Sequence, residues 1–363
     1  ALPDVNVLVG GRSMARYAPM RKPREGYLKL QDGRWGQTFA ALDLGTNNCR
    51  LLVARPTKNG FHVIDSFSKP VRLGEGLGSG NELTERAMKR TLCALEICEK
   101  KMRRHGVNRF RSVATEACRR AENAQKFFED VLERTGIKIE VITQKEEARL
   151  AVSGCRSLLD GPEPFAVVFD IGGGSTQVAW LPLDGQKDLL CESISVPFGV
   201  VTLSEKYGSE ILHPKKYQQI IDEVGEQLAA FCACHKIAER AVNGQVQMLG
   251  TSGTVTTLAG IQKKLKYYDR KQVDGTTLTF GAIRKLGNDL CRMDIGTRSK
   301  VPCIGKDRAE LVIFGCAVLE AMCRRWPVGK LRVADRGIRE GILRELMADA
   351  DQEVYRGSLG KAG

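Results

Sequence analysis

Two aspartates in this sequence share surroundings that suit phosphate chemistry. Asp43 ends an apolar strand pattern and runs into "LGTNN", and Asp170 ends another and runs into "IGGGS". One apolar residue separates each acid from a loop of glycine and small polar residues: Gly45, Thr46, Asn47 and Asn48 in the first, Gly172, Gly173, Gly174 and Ser175 in the second. Such a loop exposes backbone N–H groups to anionic oxygens and lets a phosphate approach without meeting a Cβ. A carboxylate beside it can hold hydrated Mg²⁺, which neutralises the same phosphates. Asp43 and Asp170 are therefore candidate metal ligands, and the two loops are candidate phosphate binders.

Both loops turn straight back into β-type sequence. A P-loop or a dinucleotide fingerprint runs into a helix, so these are instead the tips of β-turn-β clamps. Aligning Asp43 with Asp170 sets Leu44 on Ile171, Gly45 on Gly172 and Leu51 on Val178, so the chain carries one hairpin unit twice. A single "DIGGGS" fits any tight hairpin turn; the duplication points to two loops gripping one phosphoryl group from both sides of a cleft. A third glycine element, "LGTSGTVTTLAGI" from Leu249, follows the strand "VQM" and opens a helix. Gly250, Ser252 and Gly253 could bind an anion through N–H groups and the helix dipole. A plain N-cap by Thr251 or Ser252 accounts for the same residues. A fourth, "VADRGIREGIL" from Val333, puts Asp335 and Gly337 at a strand-to-helix turn and leaves Arg339 and Glu340 readable as surface charge.

The elements that must hold these loops follow from periodicity. The ordered fold is expected to begin at Thr38, where "TFAALDLGTNNCRLLVARPTKNGFHVIDSF" reads as three short apolar strands separated by Gly/Asn turns. The stretch "FAVVFDIGGGSTQVAWLPLDGQKDLLCESISV" from Phe165 repeats it. Helical spacing follows each unit, through Met88, Leu92, Leu95 and Met102, and through Tyr217, Ile220, Ile221, Val224 and Leu228. The short strands "RSVATEA", "IKIEVIT", "VQMLGTS" and "LRVAD" alternate with those helices, which implies mixed β-sheets flanked by helices. The fold class is thus α/β. A basic extension is expected over residues 1–37, one domain over 38–143 and a second over 144–337, with the C-terminal helix 338–350 open to joining the first. The ligand site is expected in the interdomain cleft.

Bulk properties narrow the partners. A chain of 363 residues that is 42% hydrophobic and 27% charged can build two domains with real cores. No apolar run approaches the roughly 20 residues of a membrane span, and the first 37 residues lack the basic-then-apolar order of a secretory signal. The 12 cysteines form no CxxC pair, so a reducing cytoplasm is expected. "CACH", from Cys232 to His235, closes an amphipathic helix and reads as small buried thiols rather than a metal site. A net charge of +13 attracts polyanions: nucleic acid, anionic lipid or a small phosphate-rich substrate. The excess is spread over "KKMRRH" from Lys100, "KKLKYYDRK" from Lys263 and the stretch Arg12 to Lys29, each of which alone fits a solvated face or a tail. No RNP, zinc-finger or helix-turn-helix signature accompanies them, so specific nucleic-acid binding has no support.

The order "ALDLGTNN", "VATEACRRAEN", "VITQKEEARLAVSG", "VFDIGGGSTQ", "LGTSGT" and "VADRGIREGIL" resembles the exopolyphosphatase/guanosine pentaphosphate phosphohydrolase family, within the actin-like ATPase and sugar kinase superfamily. The likeness spans roughly residues 38 to 348. It implies two ribonuclease-H-like domains and Mg²⁺-dependent release of the terminal phosphate from inorganic polyphosphate or from guanosine pentaphosphate. It implies Glu147 of "KEEAR" as catalytic base, Arg119 of "EACRR" as substrate-contacting arginine, and Asp170, Gly172 and Gly173 as the second phosphate loop. Read without the family, Glu147 fits a first-turn glutamate stabilising a helix dipole, and Arg119 fits a surface residue. Glu146 and Glu147 point about 100° apart on a helix, so only one need face the cleft. One departure stands out: the family usually has glutamate at the end of "GGGSTE", and this chain has Gln177. An amide there can orient a water yet cannot accept its proton or serve as a charged ligand. Asn48 likewise stands where a hydroxyl residue is common. Exopolyphosphatase activity is the leading expectation, guanosine pentaphosphate hydrolysis the alternative, and a non-catalytic polyphosphate or nucleotide sensor the reading from another class. Family members often dimerise, which leaves a homodimer open.

Overall fold

The computed structural model describes residues 34–183, 192–208 and 213–359 of the chain. The extension expected over residues 1–37 lies outside the described residues except for its last four, where Arg34 is tied to Asp351 by an ion pair of 3.3 Å.

The first hairpin unit is three strands, β1 (Phe39–Leu44), β2 (Asn48–Thr57) and β3 (Gly60–Pro70), to which β4 (Arg109–Ala114) and β5 (Glu140–Val141) are added. They form a sheet in the order β3-β2-β1-β4-β5, with β1, β2 and β3 antiparallel and β4 and β5 joined parallel to β1. The second unit supplies β6 (Phe165–Ile171), β7 (Thr176–Pro182) and β8 (Glu192–Val196), extended by β9 (Val246–Thr251), β10 (Thr277–Thr279) and β11 (Lys330–Ala334). Read from β8, the second sheet runs β8-β7-β6-β9-β11-β10, the order of the first with an antiparallel edge strand added. The repeated sequence therefore folds into a repeated topology. Central β1 and β6 are apolar on both faces because helices cover both sides of each sheet.

Helix Glu85–Arg104 shows how sequence sets each layer. Thr84 caps it by accepting the Ala87 N–H, and Ala87, Thr91, Leu92, Ala94, Leu95, Cys98 and Met102 fall on one buried stripe against the first sheet. Two helices lie between the sheets. Helix Gln144–Cys155 packs Leu150 and Ala151 toward the first sheet and Val152 and Cys155 toward the second. Helix Ile338–Leu359 lays Ile338, Ile342, Leu343 and Met347 against Phe39, Ala41, Leu52 and Ala54. Where the two helices cross, a Cβ on Gly154 would lie 2.0 Å from the Gly337 carbonyl oxygen, and one on Gly341 would lie 2.1 Å from that of Leu150. Only glycine permits backbones that close.

Two strand readings shorten. "RSVATEA" leaves the sheet at Ala114, because Glu116 already opens helix Glu116–Arg120. "IKIEVIT" keeps two residues in β5, an edge strand, while Ile137, Ile139 and Ile142 turn into cores. Among the described residues no helix is long and apolar enough to cross a membrane.

Candidate active site

Both hairpin tips close with the same backbone hydrogen bond. The Gly45 N–H donates to the Asn48 carbonyl and the Gly172 N–H to that of Ser175, each at 2.9 Å. The tips touch: a Cβ on Gly173 would lie 3.1 Å from Asn47 and Thr46, and one on Gly174 would lie 2.6 Å from Thr46 Oγ1. The second tip is held from behind by the start of helix Val200–Tyr207, where the Val200 and Val201 N–H groups donate to the Gly172 and Gly173 carbonyls at 3.0 and 2.8 Å. Its carbonyls are thereby occupied. The N–H groups of Thr46, Asn47, Gly173 and Gly174 find no acceptor among the described residues. Successive bare N–H groups of this kind form an anion-binding concavity.

A third wall comes from helix Gly253–Gln262, whose first residues Gly253 and Thr254 line the same cleft. Ser252 also lines it, yet its hydroxyl accepts the Val255 N–H at 3.1 Å, so it serves as N-cap as well. Arg50 stands opposite Asp43 in the β1–β2 pairing, and Arg308 reaches in, donating to Thr257 Oγ1 at 3.1 Å. Arg50, Arg308 and Arg339 enter no ion pair within 4.0 Å among the described residues. Burial pushes the last two below the ordinary arginine range, and the nearby Arg50 charge pushes the same way. Arginines gathered this closely, none of them in a direct ion pair, favour an anionic ligand.

Against this basic surface stand three carboxylates. Asp43, Asp170 and Glu147 line the cleft from β1, β6 and the first turn of helix Gln144–Cys155. Burial raises Asp170 to about 7, with Arg50 opposing and Asp43 adding to the rise. Asp43 is raised by burial too, and its Oδ1 is buried without a hydrogen-bond partner. Glu147, 8% exposed, is pushed up to about 7 by burial; Arg119 opposes that rise, while Asp170 and Asp43 reinforce it. Its neighbour Glu146 points the other way and pairs with Arg111 and Arg149, which settles which glutamate of "KEEAR" faces the cleft.

Among the described residues no group of three or more His, Cys, Asp or Glu is placed to hold a metal ion. Mg²⁺ does not need such a group, because it is held by one or two carboxylates plus water and substrate phosphates. The orphaned Asp43 Oδ1 and the raised Asp43 and Asp170 carboxylates are hard oxygen donors that such an ion would satisfy, so the residues present fit it.

The fold thus brings together Asp43, Asp170, Glu147, Gly45, Thr46, Asn47, Asn48, Gly172, Gly173, Gly174, Ser175, Ser252 and Gly253. Three other candidates sit elsewhere. Gly250 lies within β9, where a Cβ would meet the Phe169 ring at 2.5 Å, so its glycine serves packing. Gln177, 4% exposed, lies behind Ser175 and donates to the hydroxyls of Ser175 and Ser195 at 3.2 and 2.8 Å. Arg119 stands behind Glu147 instead of lining the cleft; its Nη2 donates to Glu147 at 2.7 Å and to Glu116 at 2.9 Å, and its Nη1 to the Ile142 carbonyl. Sequence reasoning missed Arg50, Arg308 and Glu116, which line the cleft. Arg50 had a usable signal, its place two residues after the first tip.

Comparison with known proteins agrees with this fold. The family model described as the Ppx/GppA phosphatase family matches residues 52–350. The guanosine-5'-triphosphate,3'-diphosphate pyrophosphatase of Photobacterium profundum is 27% identical over 312 residues, covering 85% of this chain and 59% of its own, so this chain spans under two thirds of that relative. The crystal structure of the Aquifex aeolicus Ppx/GppA family member is similar with a TM-score of 0.71 at 27% identity, over 86% of this chain and 98% of its own. An exopolyphosphatase from Cytophaga hutchinsonii ATCC 33406 matches with a TM-score of 0.76 over 86% of this chain and 98% of its own; at 22% identity that likeness concerns the fold alone.

Proposed function

This chain belongs to the Ppx/GppA phosphatase family, and from that premise we propose that it is an exopolyphosphatase, releasing terminal orthophosphate from inorganic polyphosphate. The observation that carries the reading is the pair of touching tips with unclaimed N–H groups, facing arginines that have no ion pair and a buried carboxylate raised to about 7.

The terminal phosphoryl group sits between the tips, its oxygens accepting from Thr46, Asn47, Gly173 and Gly174. Arg50 and Arg308 neutralise the phosphate next to it. Glu147 takes a proton from water as that water's oxygen bonds to the terminal phosphorus, and the bond from phosphorus to the bridging oxygen breaks, the electron pair leaving with the shortened chain. Asp43 and Asp170 would hold Mg²⁺, which would supply further charge neutralisation of the phosphates. Positioning and electrostatics do most of the work in such a transfer. Arg119 is a positioning residue, holding the Glu147 carboxylate through one hydrogen bond. Gln177, with its Oε1 buried and unpartnered, leaves the proton to Glu147 alone.

Guanosine pentaphosphate is the second reading, favoured by the Photobacterium relative's name. All eleven cysteines among the described residues are free thiols, which supports a reducing cytoplasm. The test is orthophosphate release from tripolyphosphate, longer polyphosphate and guanosine pentaphosphate, with and without Mg²⁺. Glu147→Gln is expected to lower turnover by on the order of 10² while substrate still binds. Equal turnover in that variant removes Glu147 from the role, and binding without release by the wild type makes the protein a sensor.

A further inference from the structure

The basic run "KKLKYYDRK", Lys263 to Lys271, is left unused by the site described so far, yet it borders that site. The cleft continues past Asp43, Asp170 and Arg308 into a second arm of about 360 Å³, and Tyr268 and Arg270 of this run line the arm. Both are anchored there. The Tyr268 hydroxyl donates to Asp335 at 2.6 Å, and Arg270 donates to the Asp335 carbonyl at 2.6 Å and to Glu340 at 2.5 Å. Lys266 and Lys271 lie within two residues of these anchors in the chain. Lys263, Lys264, Lys266 and Lys271 are exposed and enter no ion pair among the described residues, and Tyr267 is 86% exposed. The dipole of helix Gly253–Gln262 accounts for lysines at its own C-terminus but fades within the last turn, so it does not account for Lys266 or Lys271. The arm itself is lined by Arg50, Arg270, Arg308, Arg336 and Arg339 against Asp43, Asp170 and Asp335, so cations outnumber carboxylates along it.

Resting on the reading above, we propose that the Lys263–Lys271 loop binds the distal phosphates of a long polyphosphate chain whose end lies between the hairpin tips, and so sets a preference for long chains over short ones. The observations favour polyphosphate over single-stranded nucleic acid. A strand of bases needs a row of aromatic faces for stacking, and among the described residues the arm is lined by only two, Tyr268, whose hydroxyl is committed, and Phe67, while Tyr267 is outside its lining. A chain that presents an anion at every unit needs only cations in sequence.

The test compares wild type with the triple variant Lys264→Ser, Lys266→Ser, Lys271→Ser on two substrates, tripolyphosphate and long-chain polyphosphate, with direct binding of the long chain measured in parallel. The expected result is a fall in kcat/KM for the long chain about tenfold greater than for tripolyphosphate. The salt dependence of long-chain binding should become shallower by about two in log–log slope, since each lysine lost removes roughly 0.7 of a counterion. Equal effects on both substrates, or none, would overturn the proposal. So would tighter wild-type binding of oligouridylate than of polyphosphate, lost in the variant. If the wild type hydrolyses neither substrate but binds the long chain through these lysines, the distal site stands and the assigned activity fails.

Discussion

Glu116 and Glu147 share one guanidinium, and that sharing sets how readily Glu147 gives up its proton. Arg119 Nη2 donates to both carboxylates, so its charge is divided between two nearly buried acids. Burial already raises Glu147 to about 7. A base must be deprotonated to act, so kcat/KM is expected to fall as pH drops through about 7. In Glu116→Gln the competing negative charge is gone, the Arg119 charge is offset by Glu147 alone, and the acid limb should move to lower pH. Arg119→Ala should move it to higher pH and lower the rate. A pH–rate profile of the three proteins checks both signs, and an acid limb that stays in place in both variants would detach it from Glu147. At this scale the sequence showed what repeats and little else. Asp43 and Asp170 were visible because each precedes a bare loop, whereas Arg308 lies 258 positions after Arg50 in a stretch without periodic signal, and only the fold brings the two into one cleft.

Between elements, the contact that holds the sheets in register is the crossing of helices Gln144–Cys155 and Ile338–Leu359. Each contributes glycine to a carbonyl of the other, at Gly154 against Gly337 and at Gly341 against Leu150. Replacing a mid-helix glycine by alanine in open space gains about 1 kcal/mol of helix propensity. Here the added methyl meets backbone, and an overpacked contact costs about 1–3 kcal/mol, so the clash should win. Gly341→Ala is therefore expected to lower stability in chemical denaturation and to reduce turnover, because Glu147 rides on one helix and Arg339 on the other. Gly281→Ala, in a helix where the new Cβ meets nothing within 4 Å, should be neutral or slightly stabilising and serves as control. Equal stability of the two variants would show that the helices can separate without cost. Hairpins, helices and the mixed character of the sheets were legible from alternation and periodicity, since burial on one face writes itself into spacing. The crossing was not: a glycine inside a helical pattern reads as a weak position, and nothing local says that another backbone passes 2.0 Å from its absent Cβ.

At the scale of the whole molecule, the site buries acids from both sheets and from the helix between them, and the cost of burying their charges, with their repulsion added, becomes a property of the folded state. Glu147 and Asp170 rise to about 7 from ordinary values of 4.5 and 3.8, so between those limits the folded protein holds more protons than the unfolded chain. Stability then declines as pH increases across that window, the reverse of a salt-bridged carboxylate. A cation held by Asp43 and Asp170, as proposed, would offset the penalty, and a ligand that binds only the folded state stabilises it in proportion to its occupancy. The thermal midpoint without divalent ions is accordingly expected to fall between about pH 5 and pH 8. Added Mg²⁺ should raise it, and more at pH 8, where the acids are ionised, than at pH 5, where protons occupy them. In Asp43→Asn, Asp170→Asn the dependence on both pH and Mg²⁺ should flatten, and binding of polyphosphate without metal should tighten as the repulsion between carboxylate and phosphate disappears. Thermal melts across pH with and without Mg²⁺ decide the matter: a wild-type midpoint at pH 8 that ignores the ion takes Asp43 and Asp170 out of metal binding and leaves neutralisation of the phosphates to arginines such as Arg50, Arg308 and Arg339.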